Sequence, residues 1–222
     1  ITTARDKFAT DTNKNNLLNR IRLFKNSKLN DNDLHRYFSI NKKLGWNIRK
    51  AWTILQNISD NDLSSYLCDV LYRPFDKRTI FYHDSLVWRT AKKVMLNLLD
   101  GNVALITSRI IKGDIFGHCL ISENISDGAL LASNTASSSY IFPLYLYPET
   151  DKKDLFSAHE PGEKKPNIKP EIFAELKNNF QKDVSPEDIF YYIYAVLYSN
   201  IYREKYKEFL KIDFPRIPFT KD

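Results

Sequence analysis

The stretch that most restricts how this chain can fold is Tyr72-Arg73-Pro74-Phe75-Asp76-Lys77-Arg78. Pro74 locks its own φ and biases Arg73 toward an extended conformation, so the chain enters the segment as a strand. Asp76 can hydrogen-bond its own backbone as the chain reverses, and Thr79-Ile80-Phe81-Tyr82 reads as the returning strand. A turn that sets Lys77 and Arg78 beside Arg73 gathers several donors at one end of a sheet. Such a cluster is either an internal lock, with Arg73 and Asp76 as its ion pair, or a hand for a polyanion.

Composition narrows the choice of partner more than the choice of fold. A chain of 222 residues can bury one large core, or one core with an appendage. Only six glycines argue against glycine-rich nucleotide loops. Against 27 acidic residues stand 33 Lys and Arg, a net charge of +6 that tilts the partner toward nucleic acid or another anionic surface. Cys68 and Cys119 give neither a disulfide framework nor a zinc spacing and read as core thiols in a reducing, cytoplasmic setting. No apolar run approaches the ~20 residues of a membrane span, and no signal-peptide layout is present. The opening Ile1-Thr2-Thr3-Ala4-Arg5-Asp6 reads as the interior of a longer polypeptide.

Along the chain, residues 1–60 read as a polar helical segment. Asp11 or Thr12 can cap a helix carrying Leu17, Leu18, Ile21 and Phe24 at helical spacing, Asp31 can cap a second, and a third runs from Trp46 to Leu55. Residues 61–150 read as a β-rich core. Strands are expected at 65–72, 79–82, 103–107, 118–122 and 140–147, with an amphipathic helix over 89–99 and a small-residue loop over 126–139. Pro143 demotes the last of these strands to an edge or a bulge. Residues 151–170 are the linker, and 171–222 form a helical part packed on the core. There Ser185-Pro186-Glu187-Asp188 is a strong helix start, followed by a second helix over 202–210. The fold class expected is α/β (mixed α+β), with a central mixed sheet between helical ends.

Catalytic constellations are sparse. His35, His83, His118 and His159 show no metal spacing, and His118 and Cys119 point to opposite faces of a strand. No nucleophile elbow, P-loop, dinucleotide fingerprint or Asn-Pro-Pro-aromatic methyltransferase motif occurs. Asp69, Asp76 and Asp84 could converge on a divalent metal as a nuclease requires, but no Glu-x-Lys signature accompanies them. Binding remains. Lys77, Arg78, Arg89, Lys92, Lys93, Arg109 and Lys112 fall at strand ends, in loops or on one helix face, where they can neutralise phosphate or read guanine. Glu123 and Asn134 lie in loops whose donors and acceptors suit base edges. A protein–protein module docking through its aromatic surface is the competing class.

Four ordered motifs then carry a family resemblance: Thr2, Arg5 and Asp6; the Tyr72–Arg78 turn; Phe142-Pro143-Leu144-Tyr145-Leu146-Tyr147; and Tyr192-Ile193-Tyr194-Ala195-Val196-Leu197-Tyr198 running on to Tyr202-Arg203 and Phe214-Pro215-Arg216-Ile217-Pro218. Together they resemble the C-terminal specificity region of type ISP and related single-chain type IIG restriction–modification enzymes. The resemblance implies a non-catalytic domain that recognises double-stranded DNA for a covalently attached adenine methyltransferase and endonuclease. It implies no cofactor for this chain, with S-adenosylmethionine, Mg2+ and in some members ATP serving the attached domains. The shared motifs are then scaffold or phosphate clamps. Specificity is expected in the idiosyncratic loops around Arg109, Glu123 and Asn134.

Overall fold

The computed structural model describes residues 1–42, 45–99, 101–111, 115–131, 138–148 and 164–219. In chain order the first elements are α1 (Asp6–Ala9), β1 (Thr10–Asp11), α2 (Lys14–Lys25), α3 (Asp31–Tyr37), α4 (Ile48–Gln56), β2 (Leu67–Arg73), β3 (Asp76–Phe81) and α5 (Lys92–Met95). There follow β4 (Ala104–Ser108), β5 (Cys119–Ser122), β6 (Ile125–Ser126), β7 (Ser139–Pro143), β8 (Tyr145–Leu146), β9 (Lys165–Pro166), α6 (Pro170–Phe180), α7 (Pro186–Tyr198), α8 (Asn200–Lys205) and α9 (Lys207–Ile212). The class is mixed α/β, with the strands of the described residues in three sheets of four, three and two. Two compact units result. The first holds Ile1–Met95 and Asn124–Asp127; the second begins at Leu96 and takes most of the rest. The helices of residues 1–60 therefore share one unit with the hairpin.

In the first unit the chain reverses through short capped helices. Asn13, Asn30 and Asn47 cap α2, α3 and α4, each accepting a hydrogen bond from a backbone N–H of the first turn. The caps sit one or two residues from the Asp11, Thr12 and Asp31 expected, because a neighbouring asparagine supplies the same acceptor geometry in each case. The apolar faces close on Phe8, Phe24 and Phe38, whose rings meet edge-to-face with centroids 5.0 to 5.5 Å apart. The four-stranded sheet runs β1-β3-β2-β6, antiparallel except for the parallel pairing of β2 with β6. Strand β6 was expected as loop; its two residues give too short a pattern to signal a strand.

In the second unit β4 is the spine. All five of its residues are buried, and it pairs antiparallel with β5 on one side and β7 on the other. Pro143 closes β7 on the sheet edge, where a residue without an N–H costs no ladder bond. The capping box of α7 forms as its sequence announces: Ser185 Oγ accepts from the Asp188 N–H, and the Asp188 carboxylate accepts from the Ser185 N–H. The core joins Leu105, Cys119, Leu144, Phe190, Leu197 and Tyr202. Burial pushes the Cys119 thiol up to about 12, so it is an inert core residue.

Three expectations need correction. The helix over 89–99 is only the short α5 followed by a 3-10 turn at Leu96–Leu98. Asn97 explains the break: its Oδ1 accepts from the Tyr147 N–H and its carbonyl from Asn102 Nδ2, tying this stretch to the next strands. The helix over 202–210 is two, α8 and α9, with Tyr206 capping between them. Of the linker, the end is structured, as β9 paired with β8 and as the entry to α6; residues 149–163 lie outside the described residues.

Candidate nucleic-acid interface

The first two motifs interlock. Arg5 and Asp6 are adjacent but turn opposite ways. Arg5 runs inward, donating to the carbonyls of Thr3 and Leu86 at 3.0 and 2.9 Å, with its guanidinium 3.8 Å over the Trp46 ring. Burial without a carboxylate lowers its pKa to about 10. Asp6 turns toward the hairpin and accepts from the Tyr72 hydroxyl at 2.7 Å. Burial, then this carboxylate, raises the Tyr72 pKa.

Tyr72 in turn lies under two guanidinium groups, Arg73 at 4.0 Å and Arg78 at 3.9 Å from its ring centroid. The expected Arg73–Asp76 ion pair is replaced by two others. Arg73 and Asp76 face each other in the strand register, but Arg73 reaches Asp127 at 2.9 Å. Asp76 takes Arg78 through Nε at 3.0 and 3.1 Å and through a second nitrogen at 2.7 Å. The Arg78 hydrogen bonds hold the Asp76 carboxyl below the usual carboxylate range. The physical reason is the strand shift between Leu71 and Arg73, together with the return of the chain at β6, which brings the buried Asp127 carboxylate to Arg73. No local signal announces Asp127, 54 residues away in a polar run.

Pro74 and Phe75 form the tip. Phe75 has φ +63. A proline followed by a positive φ is the sequence of a turn that ordinarily asks for glycine at the second position. A bulky side chain there costs about 1–2 kcal/mol.

The expected cations fall into three groups. Lys77 pairs with Asp69 at 2.7 Å, and Lys92 with Asp84, so with Arg78 they are matched by neighbouring acids. The three carboxylates weighed as a metal site thus each hold a different cation, and among the described residues no three His, Cys, Asp or Glu converge. Arg89 is exposed, bridges Thr2 through its backbone and lies 5.4 Å over Trp88; Lys93 is exposed on α5. In the second unit Arg109, just past β4, pairs at 3.0 Å with Asp213, both about half exposed, and Glu123 stands exposed at the end of β5. The Phe214 N–H and Arg109 lower the Asp213 pKa. Lys112 and Asn134 lie outside the described residues.

Of the histidines, His118 gains a partner the sequence did not suggest: Ser108 Oγ at 2.7 Å from its Nδ1. Among the described residues no acid completes a triad, and burial lowers the imidazole pKa. Asn102 is the other unforeseen side chain. It is buried and bonds both Asn97 and Tyr145 backbone carbonyls, a role visible only after folding. An apolar groove of about 600 Å³ in the second unit is lined by Tyr140, Phe142, Phe190, Ile193 and Phe214 among others.

Fold and motifs together define a motif-braced mixed α/β domain with exposed cations on its loops and no assembled catalytic group among the described residues. The chain belongs to the family of Type ISP C-terminal specificity domains, whose model matches residues 1–222. No curated protein matches it. Among solved structures it is similar to the chain of a DrdV–DNA complex determined by cryo-electron microscopy, with 24% identity and a TM-score of 0.73 over 99% of this chain and 21% of that one. It is also similar to the ATP-dependent Type ISP restriction–modification enzyme LlaBIII bound to DNA, with 24% identity and a TM-score of 0.70 over 98% of this chain and 14% of that one. A nuclease-deletion mutant of LlaGI with a DNA substrate mimic gives 22% identity and 0.59 over 98% and 19%. The chain spans about a fifth or less of each of these proteins. No helix among the described residues is long and apolar enough to cross a membrane.

Proposed function

We propose that this chain recognises a short double-stranded DNA sequence for an attached adenine methyltransferase and endonuclease, and has no turnover of its own. The observation that carries the reading is the match of the whole chain to a specificity-domain family. The two motifs interlocked through Tyr72 and Asp6 support it as a common frame, leaving sequence reading to the less regular loops. Residues 1–60 lead from the methyltransferase, and the loops of 61–150 meet the duplex. Arg89 and Lys93 contact phosphate. Arg109 exchanges Asp213 for DNA, with Glu123, Lys112 and Asn134 beside the bases. S-adenosylmethionine, Mg2+ and, in an ATP-driven parent, ATP serve the attached domains in the cytoplasm. A protein–protein module, the competing reading, would use the apolar groove of the second unit.

The test uses the full-length polypeptide. Its target is found by mapping methylated adenines in DNA exposed to it, and affinity is then measured on target and scrambled duplexes across salt concentrations. The expected result is preference for the target and a log–log salt slope of about −0.9 for each neutralised phosphate. Equal affinity for both duplexes, or affinity independent of salt, overturns the proposal.

A further inference from the structure

Phe75 does not fit the description of a scaffold residue. It is 96% exposed, more than any other large apolar side chain among the described residues, and it holds a positive φ that glycine would adopt without strain. Beneath it lie interlocking contacts: the two arginines over Tyr72, the forked Arg78–Asp76 pair and the Arg73–Asp127 pair. A strained, fully presented aromatic on a braced hairpin points from geometry to a binding role.

Charge decides the partner. A wedge driven into DNA works among cations that neutralise the flanking phosphates. Around this tip Arg73 and Arg78 are each held by a carboxylate in a partly enclosed pair, Lys77 faces Asp69 in an open one, and Asp6 adds a fourth acid against the three cations. The tip therefore offers an apolar ring on a neutral to acidic base, which suits protein. The path of the chain indicates which protein. The Ile1 nitrogen donates to the Ser126 carbonyl at 2.8 Å, and Ser126 pairs with Leu71, four residues from Phe75. Polypeptide joined ahead of Ile1 is delivered within roughly 13 Å of strand from the tip.

We propose that Phe75 is a plug seated in an apolar pocket of the methyltransferase part of the same polypeptide, fixing the specificity domain in register with the catalytic part. The proposal rests on the function argued above. It is tested in the full-length protein by placing the photo-reactive p-benzoylphenylalanine at position 75, irradiating with target DNA present and mapping the cross-link. The expected product joins position 75 to residues preceding Ile1; a cross-link to DNA, a cross-link confined to this chain, or none overturns the plug. Phe75→Gly provides the second readout, since glycine relieves the backbone and keeps the hairpin. Methyl transfer should fall by up to about 100-fold, the effect of misplacing a catalytic part by ångströms, while target affinity stays within about twofold. Unchanged methyl transfer also overturns the proposal. Failure of the unmodified protein to prefer its target would sink the recognition reading and leave the cross-link result standing.

Discussion

The hairpin β2–β3 and the spine β4 are both flanked by basic residues, but the two regions use charge in opposite ways. At the hairpin, Arg73 meets a carboxylate whose side chain is only 9% exposed, and Arg78 grips Asp76 through a fork. Beside β4, Arg109 and Asp213 pair with side chains 56% and 46% exposed. Half-enclosed pairs of the first kind hold structure, because breaking one leaves a charge that water cannot fully solvate. Exposed pairs of the second kind contribute little and exchange readily for another anion. The same residue type, arginine beside aspartate, is thus framework in one region and open to exchange in the other.

Substitutions separate the two roles, and the largest effect lies beneath the hairpin. Phe24→Ala, in the ring cluster with Phe8 and Phe38, should cost about 3–5 kcal/mol in chemical denaturation. Arg73→Ala removes the guanidinium that meets the buried Asp127 carboxylate and should cost roughly 2 kcal/mol; a cost below a few tenths would erase the distinction drawn between the two regions. In the second unit, Ser185→Ala removes the cap of α7 and should cost about 1 kcal/mol, a local effect that Ser185→Asp should largely spare.

Acid gives a smaller effect with a definite sign. Because the folded Asp76 pKa is depressed, its contribution is complete above the ordinary carboxylate value of about 4 and is lost as pH falls through the folded value. Stability should therefore decline below pH about 4, and Asp76→Asn should flatten that limb of the profile by less than 1 kcal/mol, because solvent still reaches 33% of the Asp76 side chain and screens the pair. Arg109→Ala should leave stability within about 0.5 kcal/mol. In the full-length protein it should lower the salt slope of DNA binding by about 1 if the residue holds phosphate, or relax preference at one base pair if it reads a base. No change in either quantity would place Arg109 away from the DNA.

Local chemistry was legible in the sequence. The proline turn, the capping box at Ser185 and the edge position of Pro143 depend on a few neighbouring residues, and each appears close to where it was read. What the sequence could not supply was pairing across distance. Arg73 stood next to a plausible partner in Asp76, yet Asp127 took it; the shift in β2 that allows this is not encoded in periodicity. The helix over 89–99 had suitable spacing, but Asn97 and Asn102 had stronger uses for the backbone. Among the cations, charge and loop position identified candidates without revealing which were already matched by an acid.

The return of Asn124–Asp127 to the first unit has a consequence for how parts of this chain can be recombined. A genetic crossover after Met95 would separate the hairpin from the segment that covers its β2 edge and from the carboxylate that neutralises Arg73. A chimaera made there inherits whatever four residues the donor supplies at that place. Chimaeric chains should therefore fold only where those four residues are compatible with the recipient hairpin, so the short insertion acts as a filter on which halves can be inherited together.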